Sequence, residues 1–177
     1  TYMRGIDFYN IPTTVLSQVD SSIGGKVAVD FEGYKNLVGA FYPPRAVLID
    51  PDTLHTLPPR QIANGLAEAV KMSLTSDPVL FALFETADAG ENIDRIIEAS
   101  LRIKRQVVEQ DEKEGGLRKI LNFGHTLAHA IESECGMTTL YHGECVALGM
   151  LPMCAPAVRQ RLLPVLERLG LPTTFSG

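Results

Sequence analysis

Apolar residues recur almost throughout at helical spacing from Pro58 onward, and before that point they do not. Residues 1–57 instead mix short strand candidates, Phe8–Ile11 and Ala46–Ile49, with turn residues and one short helix near Thr13–Ser22. After the change the pattern predicts helices over Pro59–Thr75, Pro78–Ala87, Asn92–Gln110, Leu117–Cys135, Gly143–Cys154 and Val158–Leu169. Asp77 ahead of Pro78, and Pro58-Pro59 ahead of a polar first turn, are suitable helix starts. The expected architecture is the tail of an α/β domain (1–57) followed by an all-α domain (58–177), predominantly helical over the whole chain. The opening at Thr1, straight into strand-like sequence, reads as a piece cut from something longer.

Three of the four histidines fall on the helical part within one short stretch. His125 and His129 are four apart, so one helix face would carry both rings. His142 opens the next helical run. Two imidazoles from one helix and a third from the next can meet around a divalent metal. A solvated i,i+4 pair with His142 as a helix cap is the competing reading. Glu68 and Lys71 sit three apart on an otherwise apolar helix stretch, as an ordinary ion pair would. If Glu68 joins His125 and His142 instead, two imidazoles and a carboxylate leave one position open on zinc, the arrangement of catalytic sites.

Charged residues add a second pattern. Lys104 lies on the apolar stripe Ile93, Ile97, Leu101, Val108, where a lysine either snorkels to water or aims its ammonium into a polar cleft. Glu114, Arg118, Asn122, His125 and His129 would line one face if their helix starts early enough. Such a ladder suits a site that binds an anion and moves protons. Gly24-Gly25-Lys26 is no Walker loop: Asp20 stands at the upstream glycine position and Val27 where Ser or Thr is needed. Glycines there still let backbone amides approach an anion, or simply form a β-connection, with Lys35-Asn36 in a second polar turn. The net charge of −5 argues against nucleic-acid or anionic-membrane partners, no apolar run is long enough for a bilayer, and three cysteines without knuckle spacing read as reduced and cytoplasmic.

The ordered set Ile-Pro-Thr-Thr, Gln-Val-Asp-Ser-Ser-Ile-Gly-Gly-Lys, Lys-Asn-Leu-Val-Gly-Ala-Phe, Gly-Leu-Ala-Glu, Asp-Glu-Lys-Glu, Leu-Asn-Phe-Gly-His-Thr, His-Ala-Ile-Glu and His-Gly-Glu closely resembles the 3-dehydroquinate synthases, among the sugar-phosphate cyclases. The resemblance runs from about Arg4 to Met150. It implies conversion of 3-deoxy-D-arabino-heptulosonate 7-phosphate to 3-dehydroquinate and phosphate, in the shikimate route. The implied chemistry is oxidation of a ring hydroxyl by NAD, loss of phosphate, return of the hydride and an internal aldol closure. By resemblance, Glu68, His125 and His142 match ligands of one Zn2+ or Co2+ per chain. Thr13, Thr14, Asp20, Lys35 and Thr56 match NAD-contacting positions. Lys26, Asn36, Lys71, Lys104, Arg118 and Asn122 match positions that hold the substrate, and Glu114 and His129 match positions tied to proton movement. Arg4 matches an arginine that reaches a neighbouring subunit's site, implying a homodimer.

Tyr34, Val27 and Asp30 depart from the family's usual Gly, Thr and Asn. Residues 1–57 carry no Gly-rich dinucleotide motif. They resemble only the C-terminal part of the family's NAD-binding domain, and Gly177 precedes the family's last helices, so the expectation is that this polypeptide alone binds NAD poorly and turns over little. The alternatives are a sister cyclase making an aminodehydroquinate or 2-deoxy-scyllo-inosose, a metal-dependent polyol dehydrogenase of the same broad fold, or a non-catalytic oligomerisation scaffold.

Overall fold

The structure, a computed structural model, describes residues 5–32, 34–111, 115–135 and 139–175, with the side chains of Asp30, Tyr34 and Lys35 left aside. Arg4 and Glu114 therefore lie outside the described residues. The N-terminal part holds β1 (Tyr9–Asn10) paired in parallel with β4 (Ala46–Val47), and an antiparallel hairpin of β2 (Lys26–Phe31) and β3 (Tyr34–Phe41). The hairpin corrects one expectation: Lys35 and Asn36 lie on a strand, not in a polar turn. Alternation explains this, since Val27, Val29 and Phe31 face Ala40, Val38 and Tyr34 in register, with the turn carried by Glu32 at φ 51°.

Among the described residues six α-helices follow: α1 (Pro59–Ser76), α2 (Pro78–Thr86), α3 (Ile93–Gln110), α4 (His125–Glu134), α5 (His142–Met153) and α6 (Pro156–Arg168). Asp77 caps α2 as expected, its Oδ1 accepting the Val79 and Leu80 N–H groups at 2.9 and 3.0 Å. No helix among the described residues is long and apolar enough to cross a membrane.

The expected single helix over Leu117–Cys135 is two elements. A 3-10 turn, Leu117–Asn122, ends at Phe123, and α4 begins only after Gly124, whose φ is 77°. The reason is packing against α5. A Cβ on Gly149 would lie 2.3 Å from the Gly124 carbonyl oxygen, and one on Gly124 would lie 2.9 Å from the Met150 amide nitrogen. Two glycines facing each other let α4 enter almost backbone to backbone with α5, at an angle a continuous helix could not take.

The core lies among α1, α2, α3, α5 and α6, with Met72, Phe84, Ile96, Met150 and Leu162 fully buried or nearly so. On α3 the buried stripe is Ile96, Ile97, Ser100, Ile103, Lys104 and Val107, a slight rotation from the expected line that takes Lys104 inward with it. Part of residues 1–57 belongs to this core. Val15 and Val19 are completely buried, and Gln18 between them donates to the Pro12 and Asp50 carbonyls and to Thr53 Oγ1. Gly65 on α1 permits that approach, since a Cβ there would lie 2.3 Å from the Leu16 nitrogen.

Candidate metal centre and anion cleft

Three helices deliver one potential ligand each. Glu68 sits in the buried middle of α1, His125 opens α4 and His142 opens α5. The start of α5 rests on α1 through Gly143, whose N–H donates to Asn64 Oδ1 at 2.6 Å and whose Cα has no room for a side chain against the Asn64 carbonyl. One ligand atom from each of Glu68, His125 and His142 lies within 4.8 Å of the other two. His142 Nε2 is 3.2 Å and His125 Nε2 3.6 Å from Glu68 Oε1. Two imidazole nitrogens and one carboxylate fit Zn2+ or Co2+ with a coordination position to spare. The solvated i,i+4 pair describes only half of what is found: His129 is exposed, but His125 is turned, with His142 from the next helix, onto the fully buried Glu68 carboxylate.

The electrostatics are built around that carboxylate. Burial alone would push the Glu68 carboxyl up, but the Lys71 ammonium and then the two imidazoles outweigh it and hold Glu68 well below the usual carboxylate range. Lys71 Nζ, itself buried, donates to Glu68 Oε2. Burial, then the Lys71 charge, lowers the pKa of His125. Burial also opposes protonation of His142, yet Glu68 and then Glu132 overcome it and raise its pKa. Glu68 thus shares its two oxygens, Oε2 with Lys71 Nζ and Oε1 with the His125 and His142 rings.

Beside it opens a cleft of about 310 Å3. Lys26, Lys71, Lys104 and Arg118 line it, together with Asn36, Asn122, His125, His129, His142 and Asp20. The whole described substrate set expected from sequence is therefore brought to one place, although the Glu114-to-His129 ladder is not one helix face. The backbone supplies the cleft instead: α3, the 3-10 turn and the loop Gly24-Gly25 converge there. Lys104 Nζ donates to Asp20 Oδ1 at 2.7 Å and to the Asp20 carbonyl. Arg118 donates to the Gly24 carbonyl at 3.1 Å, and a Cβ on Gly24 would stand 2.5 Å from that guanidinium nitrogen. His129 packs edge-on to His125 with ring centroids 5.5 Å apart.

Among the positions matched to NAD contacts, Asp20 lines this cleft, while Thr13 and Thr14 stand ahead of the short helical segment Ser17–Ser21 and Thr56 ends the 3-10 turn Pro51–Thr56. Thr14 Oγ1 accepts the Ser17 N–H at 3.2 Å, a capping role. Lys35 lies on β3, its side chain outside the described residues.

Several polar residues about the site escaped the sequence reading. Asp111 accepts the N–H groups of Gly115, Gly116 and Arg118 at 2.7 to 2.9 Å, which sets the backbone from which Arg118 reaches inward; the same three bonds hold its carboxyl below the usual range. Glu144 accepts Arg60 Nε and Nη2 at 2.6 and 2.8 Å and the Tyr141 N–H at 2.8 Å, pinning the residue before His142. Glu132 meets His142 Nδ1 at 2.7 Å. Its seven-residue spacing from His125 was the available signal, since i and i+7 share a helix face.

The comparisons with known proteins agree with this geometry. A model of the 3-dehydroquinate synthase N-terminal region matches residues 1–64, and a model of the C-terminal region matches residues 65–176. A 3-dehydroquinate synthase from Pelobacter propionicus is 48% identical over 188 residues, covering 97% of this chain and 52% of that protein. One from Streptococcus pyogenes is 47% identical over 187 residues, covering 99% and 52%. Among solved structures, a 2-epi-5-epi-valiolone synthase from Streptomyces hygroscopicus subsp. jinggangensis with NAD+ and Zn2+ bound superposes with a TM-score of 0.88 at 30% identity, over 98% of this chain and 53% of that one. A 2-deoxy-scyllo-inosose synthase complexed with carbaglucose-6-phosphate, NAD+ and Co2+ gives 0.82 at 28% identity, over 98% and 51%. The chain spans about half the length of the curated relatives it matches. Two adjoining family models and a three-helix Glu-His-His cluster beside a cationic cleft lead to one conclusion: this chain belongs to the 3-dehydroquinate synthase family.

Proposed function

We propose that the chain is the metal- and substrate-binding part of a 3-dehydroquinate synthase, acting on 3-deoxy-D-arabino-heptulosonate 7-phosphate with NAD and one Zn2+ or Co2+. The observation that carries the reading is the cleft itself, where four cationic side chains stand around two histidines turned onto the buried Glu68 carboxylate. Glu68, His125 and His142 would hold the ion. The ion would polarise a substrate oxygen as a Lewis acid, and NAD would take up and give back the hydride.

The chain's own residues supply positioning and charge. Lys26, Lys104 and Arg118 would bind the phosphate and carboxylate of a polyanionic sugar, and Asn36 and Asn122 its hydroxyls. Lys104 and Arg118 would exchange their present partners, Asp20 and the Gly24 carbonyl, for substrate oxygens. Lys71 would stabilise negative charge developing beside the metal. His129, at the exposed rim next to His125, and Glu114 would move protons, with the departing phosphate as a further base. Residues 1–57 would complete an α/β domain that contacts NAD through Thr13, Thr14, Asp20, Lys35 and Thr56, and residues 58–177 form the helical domain. Arg4 would serve the site of a second copy in a cytoplasmic homodimer.

Identity of 45–48% to curated 3-dehydroquinate synthases, against 28–30% to the sister cyclases of known structure, favours this substrate over theirs. The cationic set argues against a polyol dehydrogenase, which has no phosphate to hold, and the convergence of two histidines on a buried carboxylate argues against a scaffold. Elemental analysis of the purified chain tests the centre. About one zinc or cobalt per chain, lost in Glu68→Ala and His125→Ala, is the expected result. A folded chain without metal would remove the centre from the proposal. Phosphate release compared across the three sugar phosphates, with NAD supplied, separates this enzyme from its sisters.

A further inference from the structure

Glu132 on α4 has a burial that the metal cluster alone does not require. It is 3% exposed, and its Oε1 lies 2.7 Å from His142 Nδ1, ten residues along the chain and on a different helix. An ionised carboxylate can only accept, so Nδ1 must be the donor. With Nδ1–H committed to Glu132, Nε2 is the nitrogen left to meet a cation, and it is turned to Glu68 Oε1 at 3.2 Å. His125 is held differently. Its Nδ1 faces the Phe123 carbonyl at 3.3 Å, a longer contact to a neutral acceptor.

We infer that Glu132 is a positioning residue for the metal centre, fixing His142 in its Nδ1–H tautomer and aiming Nε2 at the ion. This rests on the reading of Glu68, His125 and His142 as ligands. The physical reason is twofold. A second-sphere carboxylate removes the rotational and tautomeric freedom of a ligating imidazole, and its charge makes Nε2 a stronger donor to a cation. His142 needs this more than His125. Both open their helices, but the His125 side chain is 16% exposed, beside the tight entry of α4 against α5 at Gly124 and Gly149, whereas the His142 side chain is 28% exposed. Glu144 and Arg60 secure the backbone there, and Glu132 secures the ring. The competing role, a buried ion pair that merely ties α4 to α5, makes a different forecast.

The test is cobalt(II) titration of the purified 177-residue chain, read by visible absorption, with far-UV circular dichroism of the metal-free protein as the folding control. Glu132→Gln should fold as the parent does and bind cobalt about 10- to 100-fold more weakly. The same substitution in a His142→Ala background should change affinity no further, because a residue that acts through His142 has nothing left to act on. Glu132→Asp keeps the charge but withdraws it from Nδ1; it should show a smaller loss that likewise vanishes with His142→Ala, and it serves if the glutamine variant fails to fold. Parent-like affinity in a folded Glu132 variant overturns the inference, and so does a loss of equal size with and without His142. A folded parent chain that takes up no cobalt overturns the metal centre, and Glu132's role with it.

Discussion

Lys71 and Glu68 show how a single pair can serve two states of the site. Both side chains are out of solvent, and each would be costly alone. Without a metal, the Lys71 ammonium is the main charge that offsets burial of the Glu68 carboxylate. A bound divalent ion would take over much of that work. Lys71→Met should therefore destabilise the metal-free chain by roughly 3–5 kcal/mol, the range for breaking a buried pair by removing one partner. Added zinc should restore much of the loss, and thermal unfolding with and without zinc measures both. Acid should act on the parent pair with a definite sign. The folded carboxyl of Glu68 is depressed, so its contribution is present above the unfolded carboxylate value of about 4.3 and is lost as pH falls toward the folded one. At this scale the sequence was informative. An ion pair at i,i+3 on an apolar helix, and a lysine on a core stripe, both marked residues that the structure buries at the cleft. Asp111 and Glu144 were not legible, and Glu132 only through its spacing from His125, because their partners are backbone amides or side chains brought near only by folding.

Among the elements, α4 and α5 set the distance between two of the three ligands. Their contact is almost backbone on backbone at Gly124 and Gly149, where even a methyl group would collide with main chain that cannot swing aside. Gly149→Ala should force the helices apart, cost about 1–3 kcal/mol as overpacking does, and move His125 away from Glu68. Gly116→Ala is the matched control, since a Cβ there meets nothing within 4 Å. Differential scanning fluorimetry and metal content should both fall for the first and stay level for the second. Helical periodicity found α1, α2, α3, α5 and α6 to within a few residues, because amphipathic stripes report on burial directly. It missed the break at Gly124, because an apolar pattern continued through it and one glycine inside a helical pattern is ambiguous without its packing partner. The hairpin was missed for a related reason. Val27, Val29 and Phe31 alternate as strand residues do, yet they and the partner strand's Leu37, Val38 and Phe41 are all exposed here, and the Gly and Lys-Asn signals drew attention to turns.

For the whole molecule, the change of pattern at Pro58 marks a change of secondary structure more sharply than a change of packing. The segment Ser17–Ser21 and its neighbours lie against α1 and α3, with Val15 and Val19 completely buried. The same segment carries Asp20, which receives Lys104, and leads into Gly24, which receives Arg118. The cleft is thus closed on one side by residues that sequence pattern alone assigns to the α/β part. A chain starting at residue 58 would leave the faces of α1 and α3 uncovered and forfeit the burial of two valines, about 1.5 kcal/mol or more for each. It would also strand the Lys104 ammonium on a helix face shaped to hide it. We expect that chain to unfold with a broad, low-temperature transition and to bind inorganic pyrophosphate at least tenfold more weakly than residues 1–177, by calorimetry. Metal uptake should survive better than anion binding wherever the truncated chain stays helical, because Glu68, His125 and His142 all come from α1, α4 and α5. Equal pyrophosphate affinity in the two chains would mean that the helical part builds the anion site without Lys26, Asp20 or the Gly24 carbonyl, and that the cleft described by their convergence is not the site.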